Sequence, residues 1–241
     1  MALTIWSVFP EMGNIHGDAG NADALARRAG WRGIEADVIE ISLGDDVPSE
    51  EPDAIVIGSG FDADASAVLD GLRRLEPSIR AALEAQVPLL AVGLGWELCS
   101  ASVELGQGTL DGLGIFPGSA VATMRHTGDI AVETTWGRLI GYEYHLRDYR
   151  PAAGEIPLGT VLSGVGHAAG SGHEGSVVGS AIGTALRGPV LARNGALADH
   201  LVFRIADLRG LALEDPSPTL QRIDELNGAI AARTFRSLGL R

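Results

Sequence analysis

The chain has 241 residues, of which 46% are hydrophobic and 33 are glycine, and this composition predicts a packed, turn-rich domain. Its formal net charge of −13 argues against nucleic acid or an anionic membrane as the main partner. All 18 basic residues are arginine, which excludes a Schiff-base lysine and the lysine of a phosphate-binding P-loop.

The single cysteine, Cys99, excludes an intramolecular disulfide and a thiolate metal cluster. The first residues, MALTIWSVFPEMG, lack a basic leader and a long apolar core, so no signal peptide is expected. No segment approaches the roughly 20 apolar residues of a membrane span. We therefore expect a cytoplasmic protein without membrane insertion, and no bound metal or cofactor.

Apolar periodicity predicts the elements in chain order. Strands are expected at 3–9, 36–41, 54–57 and 88–92, and helices at 22–29 and 65–86. Beyond residue 106 the pattern indicates shorter strands at 129–133, 138–142, 160–162 and 179–185, a mobile glycine-rich loop at 167–175, and a helix at 218–238.

This order predicts an α/β fold with a doubly wound, mostly parallel sheet flanked by helices, in a single domain. We expect residues 1–206 to form the domain, and residues 207–241 to form a C-terminal helical tail packed on it. In such sheets the site lies beyond the carboxyl ends of the strands. The loop 10–21, the turn at Gly58 and the turn at Gly93 are therefore expected to meet there.

Residues 87–100, VPLLAVGLGWELCS, have the layout of a nucleophile turn. A buried strand leads into a Gly-x-Gly turn, which is followed by a helix that we expect to open at Trp96. In many α/β enzymes such a turn presents a reactive side chain near a helix N-terminus. Here the apex, Gly93, has no side chain.

Four further segments carry distinctive motifs: MGNIHGDAGN at 12–21, IGSGFD at 57–62, the run RHTGDIAVET to RLIGYEYH within 125–145, and GTALRGPVLARN at 183–194. In this order they resemble the motifs of class I glutamine amidotransferases of the CobB/CobQ type. The resemblance covers roughly residues 3–206. It is strongest to the glutaminase subunits of lipid II isoglutaminyl synthases, which pair with a Mur-ligase-like partner to amidate the peptidoglycan stem glutamate.

The resemblance implies that both catalytic residues are replaced. The family cysteine falls on Gly93, and the family histidine falls on Arg187. Glutamine hydrolysis needs a thiolate nucleophile and a histidine that generates it and later protonates ammonia. Glycine offers no nucleophile, and arginine stays protonated. We therefore predict a catalytically degenerate, non-hydrolysing subunit or interaction partner of a Mur-ligase-like, amide-forming enzyme.

Other residues are weaker candidates for chemistry. Cys99 lies six residues after Gly93, and we expect it to be a buried, inert thiol. His16 is a further candidate for the pocket wall. A metal site at His167, His173 and Glu174 is conceivable from composition, but a flexible surface loop is favoured there.

The altered pocket has two interpretations. It is either a binding site for an anion such as a small carboxylate, or it is plugged by Arg187. The anion-binding candidates are Gly58, Ser59, Gly60, Leu94, Arg125 and Arg187. The candidate lining residues are Asp18, Glu97 and His145. Alternatively, Arg187 pairs with Asp18, Glu97 or Glu143 and fills space.

The sequence is also compatible with two other functions. One is an active glutamine-hydrolysing subunit of a lipid II isoglutaminyl synthase-like or cobyrinate-type enzyme that uses non-family residues. The other is a free-standing sensor of a small anion.

Overall fold

Buried apolar strands form a central parallel sheet in the computed structural model, which describes residues 2–240. In chain order the strands are β1 (Leu3–Val8), β2 (Ala36–Ile41), β3 (Ala54–Ile57), β4 (Leu89–Val92), β5 (Ser100–Leu105), β6 (Gly108–Asp111), β7 (Phe116–Thr134), β8 (Gly137–Arg150), β9 (Gly159–Ser163), β10 (His173–Glu174), β11 (Ser176–Val178), β12 (Ala181–Thr184) and β13 (Leu186–Arg187). The central sheet has the order β11-β12-β4-β3-β1-β2. Its strands are parallel except β11, which is an antiparallel edge.

Helices cover both faces of this sheet, which is why β3 and β4 are buried at every position. The helices are α1 (Gly20–Gly30), α2 (Ala65–Glu84), α3 (Leu94–Leu98), α4 (Val190–Arg193), α5 (Gly195–Arg209) and α6 (Pro218–Ser237). The core on one face joins α2 to Ile55 and Ile57. The core on the other joins α1 and α5 to Ile5 and Val56. The predicted doubly wound α/β fold is confirmed.

A second sheet, of order β10-β9-β7-β5-β6, corrects the expectation for residues 106–188. The short strands expected at 129–133 and 138–142 are parts of β7 and β8, which form one long antiparallel ribbon closed by β13 on the β8 side. The strands β5 and β6 were not predicted. Along β8 the buried positions include Glu143, His145 and Arg147, whereas Tyr144 and Leu146 are exposed. This pattern is the reverse of ordinary core alternation, so apolar periodicity alone would place the wrong face of β8 toward the core.

The C-terminal helix α6 is joined to the rest of the chain by polar contacts. Arg28, which is 4% exposed, pairs with Asp199 of α5 at 2.7 Å and with Asp224 of α6 at 2.9 Å. Leu220 is the buried apolar residue of α6. A boundary at residue 206 stays a prediction. Within residues 2–240 no helix is long and apolar enough to cross a membrane.

The segment 167–175 is a series of turns whose ends are buried. His173 and Glu174 form strand β10 against β9, and Glu174 is completely buried. Its Oε1 atom accepts hydrogen bonds from the Thr184 hydroxyl and the Ala185 N–H, both at 2.7 Å. Burial raises the pKa of Glu174 to about 7. The surface loop expected around Glu174 is therefore wrong, and no metal-binding group of three or more His, Cys, Asp or Glu residues occurs among residues 2–240.

We predict that Glu174→Gln removes a loss of stability that the wild type suffers as the pH rises from about 4.5 to about 7. The carboxyl is protonated in both states below about pH 4.5, and the unfolded chain releases its proton first as the pH rises, so folding weakens until the folded pKa is passed. Between pH 5 and pH 8 the wild type should lose about 2 kcal/mol more than the variant. Urea denaturation at the two pH values measures this difference.

The matched control is Glu84→Gln, at an exposed position of α2. It should leave the pH dependence unchanged. A Glu174→Gln profile parallel to that of the wild type would show that Glu174 does not carry the effect.

Candidate functional site

The turn at Gly93 keeps the shape of a nucleophile turn without a nucleophile. Gly93 has a φ of +54° and a ψ of −120°, a backbone conformation that side-chain-bearing residues rarely adopt and that glycine adopts without strain. Its N–H donates to the Thr184 carbonyl at 2.9 Å, and its carbonyl accepts the Glu97 N–H at 2.9 Å. The helix begins at Leu94 rather than Trp96 and has only five residues, so its dipole is smaller than expected for an anion site.

The predicted loops do meet at this turn. The Ile15 N–H donates to the Ser59 carbonyl at 3.2 Å, which connects the loop 10–21 to the turn at Gly58. The Leu94 N–H donates to the Ser59 hydroxyl at 3.2 Å. Ser59 therefore holds the second turn against the start of α3.

The Arg187 guanidinium lies where a side chain on residue 93 would project. Arg187 is 4% exposed, and strand β13 brings it alongside Tyr142 of β8. A Cβ atom built on Gly93 would lie 1.6 Å from Nη1 of Arg187 and 2.2 Å from its Cζ. Residue 93 and residue 187 thus compete for one volume, and arginine fits because residue 93 is glycine.

Arg187 forms no ion pair within the described chain. Its Nη2 donates to the Tyr144 carbonyl at 3.1 Å, and its Nε and Nη1 atoms are buried without a hydrogen-bond partner. The expected pairing with Asp18, Glu97 or Glu143 is not found among residues 2–240. Burial lowers the pKa of Arg187, because the charged form is removed from water.

Each of the three acids expected to pair with Arg187 has another partner. Glu97 accepts a hydrogen bond from Nε of Arg147 at 2.8 Å. Glu143 accepts the N–H groups of Val165 and Gly166, each at 2.9 Å. These carboxylates are therefore engaged elsewhere in the structure.

Asp18, the third acid, lies behind the Gly58 turn. Its Oδ2 accepts the Ser59 N–H at 3.3 Å, and its Oδ1 has no partner. Burial raises the pKa of Asp18 to about 6, although the nearby Arg187 charge opposes this shift. Asp18 is therefore a positioning group for the turn.

Arg147 binds two carboxylates and was missed by the sequence reasoning. Besides Glu97, it forms a bidentate pair with Asp62 through two 2.8 Å hydrogen bonds. Burial disfavours its charge, but Glu97 and Asp62 outweigh burial and raise the pKa of Arg147. Arg147, Glu97 and Asp62 together connect β8, α3 and the 3-10 turn Asp62–Asp64. The sequence signal for Arg147 is the alternation of residues 143–147, which puts Arg147 on the same face of β8 as Glu143 and His145.

These elements enclose a cleft of about 420 Å³. The cleft is lined by Ile15, His16, Ser59, Gly60, Phe61, Asp62, Leu94, Tyr144, His145, Leu146, Arg147 and Arg187. Among the candidates, Ser59, Gly60, Leu94, His145 and Arg187 belong to this lining. Gly58, Asp18 and Glu97 lie outside it. Arg125 is exposed, with its guanidinium 5.5 Å from the Tyr144 ring centre.

The two histidines of the cleft are held by their Nδ1 atoms. His145 Nδ1 donates to the Arg147 carbonyl at 2.7 Å, and His16 Nδ1 is hydrogen-bonded to the Tyr142 hydroxyl. The Nε2 atoms of both are buried without partners. Burial lowers the pKa of each histidine, and the Arg187 charge lowers it further, so both rings are neutral at pH 7.

Cys99 is outside the cleft. It follows the last residue of α3 and is completely buried. Burial raises the pKa of its thiol to about 12. A thiol that stays protonated at neutral pH is a poor nucleophile, in agreement with the expectation of an inert residue.

The same fold occurs in known class I glutamine amidotransferases. A chain of PurLQS from Thermotoga maritima matches with a TM-score of 0.56 at 14% identity, over 84% of this chain and 98% of that one. A glutamine amidotransferase from Thermotoga maritima matches with a TM-score of 0.53 at 16% identity, over 99% and 98%. These similarities define the fold class.

The CobB/CobQ-like glutamine amidotransferase domain matches residues 5–195, and the chain belongs to that family. It is 31% identical over 216 residues to the lipid II isoglutaminyl synthase (glutamine-hydrolyzing) subunit GatD of Staphylococcus aureus, covering 88% of each chain. It is 29% identical over 205 residues to the GatD subunit of Streptococcus pneumoniae, covering 83% of this chain and 79% of that one. The resemblance found in the sequence motifs is confirmed.

We predict that substitutions at Gly93 and Arg187 have strongly non-additive effects on the free energy of unfolding. Gly93→Ala should destabilise the fold by about 3 kcal/mol, because its Cβ overlaps the Arg187 guanidinium and its φ is unfavourable. In an Arg187→Ala background the same change should cost only about 1 kcal/mol, the backbone share. Urea denaturation of the four proteins of the double-mutant cycle measures the coupling.

Gly210→Ala serves as the control. Gly210 has a similar φ of +61° and open space around its Cβ position. Gly210→Ala should lower the free energy of unfolding by the same amount in the wild type and in the Arg187→Ala variant. Additive effects of the Gly93 and Arg187 substitutions would disprove the overlap.

Proposed function

We propose that this chain is a non-hydrolysing, amidotransferase-like subunit that associates with a Mur-ligase-like, amide-forming synthetase. One observation carries the proposal: the Arg187 guanidinium fills the space into which a nucleophile on residue 93 would project. The family reaction needs a thiolate at that place and a base beside it. Gly93 and Arg187 supply neither.

No other residue of the cleft replaces the missing thiol. Cys99 is buried outside the cleft, and its thiol is protonated at neutral pH. His16 and His145 are neutral there and have the chemistry of a base, but a base without a nucleophile does not perform the inherited covalent reaction. These facts support the inactive subunit over an active glutaminase.

Family membership and the surface at the cleft mouth support the association with a synthetase. The GatD relatives are named as subunits of an amide-forming synthase. Apolar side chains are exposed around the cleft: Phe61 is 63% exposed and Leu146 is 38% exposed. Exposed aromatic and aliphatic residues at one place are typical of a protein interface.

We predict no glutamine-dependent ammonia release above the blank, either from the chain alone or from the chain mixed with a purified Mur-ligase-like synthetase subunit of the same organism. The reason is the absence of a nucleophile at the Gly93 turn. Staphylococcus aureus GatD, assayed in the same way, is the positive control. Turnover that survives Cys99→Ala and is lost on Ser59→Ala or His145→Ala would contradict the proposal.

We predict that the synthetase subunit docks over the cleft mouth. Phe61→Asp should weaken the association by about tenfold or more, because it places a charge in an apolar contact. Leu226→Asp, at a 51% exposed position on α6, is the matched control and should have no effect. Calorimetry or analytical ultracentrifugation with the purified subunit measures the affinity. Equal effects of the two substitutions would exclude this face.

A further inference from the structure

Two buried arginines of the cleft have opposite surroundings. Arg147 is balanced by Asp62 and Glu97. Arg187 is equally buried, yet no carboxylate of the described chain lies within 4 Å of it. A guanidinium carries five N–H donors, and Arg187 uses one of them, on the Tyr144 carbonyl. Asp18 and Glu97 act on Arg187 electrostatically, but Arg187 is a buried cation without a direct ion pair among the described residues.

Polar atoms without partners are concentrated at this place. Among residues 2–240, ten buried side-chain nitrogen or oxygen atoms lack a hydrogen-bond partner. Five of the ten belong to Arg187, His16, His145 and Asp18, the first three of which line the cleft. Leaving the donors of a buried charged group without hydrogen-bond partners is costly, so native proteins rarely do so without a function.

We propose that the cleft binds a small organic monocarboxylate with an apolar body, and that the carboxylate pairs with the Arg187 guanidinium. The cleft volume of about 420 Å³ suits such a ligand. Phe61, Leu94 and Leu146 supply apolar contacts. The planar guanidinium matches a carboxylate in a two-point contact.

The charges around the cleft select for a single negative charge. Asp62 and Glu97 bring two negative charges against the one positive charge of Arg147, and His16 and His145 are neutral at pH 7. Arg187 is then the one lining cation without a carboxylate partner among the described residues. A doubly charged ligand such as sulfate would be repelled by Asp62, Glu97 and Asp18 more strongly than a monocarboxylate.

Few bonds hold the guanidinium in place. It is packed against the turn at Gly93 and makes one hydrogen bond to a main-chain carbonyl. The proposal requires the guanidinium to break that one hydrogen bond or share it as it pairs with a carboxylate in the cleft. This proposal does not depend on partner association or on the lack of hydrolysis, and it is tested without glutamine.

The experiment is isothermal titration calorimetry of the full chain at pH 7 with 4-methylpentanoate, its uncharged analogue 4-methylpentanamide, and inorganic sulfate. The carboxylate should bind about tenfold or more tightly than the amide, since a charge-assisted pair is lost in the amide. Sulfate should bind more weakly than the carboxylate. Equal binding of carboxylate and amide, tighter binding of sulfate, or no binding of the carboxylate would overturn the proposal.

Two variants assign the effect to Arg187. Arg187→Met, which keeps the length of the side chain, should remove the preference for carboxylate over amide, whereas Arg74→Gln, at an exposed position of α2, should preserve it. Circular dichroism verifies folding. If Arg187→Met does not fold, Arg187→Lys replaces it and should reduce the preference severalfold, because the two-point contact is lost. An unchanged preference in the folded variant would refute the role of Arg187.

Discussion

The space beside the turn at Gly93 can hold only one side chain, and this packing constraint determines which chemistry the cleft can perform. The space next to the Cα atom of Gly93 holds the guanidinium of Arg187. A close-packed interior does not admit a second side chain there. The sharp strand-to-helix turn keeps its backbone shape, because glycine adopts the required φ without strain. The turn therefore has the strand-to-helix shape of a reactive site, and a cation occupies the space at its apex, in line with the proposed non-hydrolysing role.

The cleft keeps its form through contacts that do not involve catalysis. Arg147 connects strand β8 with α3 and with the Asp62 turn, and Ser59 connects its turn with the start of α3. Removing one member of a buried ion-paired group costs several kcal/mol. The walls of the cleft are thus stabilised by residues other than Gly93 and Arg187, so the shape of the cleft does not depend on the identity of those two residues.

The sequence allowed about half of the architecture to be predicted, and the limit has a physical cause. Strands β1 to β4 and helix α2 were predicted within two residues, because their apolar faces are buried in a regular period. Strands β5 and β6 and the full length of β7 and β8 were missed, since polar residues occupy the buried side of β8. Motif similarity placed Gly93 and Arg187 at the site. The contact between them, and the role of Arg147 as a bridge, depend on side-chain positions far apart in sequence.

The overlap of residues 93 and 187 also constrains the order in which these two positions can change. Any side chain at position 93 would collide with Arg187. A smaller residue at position 187 removes that collision, so it has to come first. Sequence change at the turn is therefore ordered: position 187 controls which residues position 93 can accept.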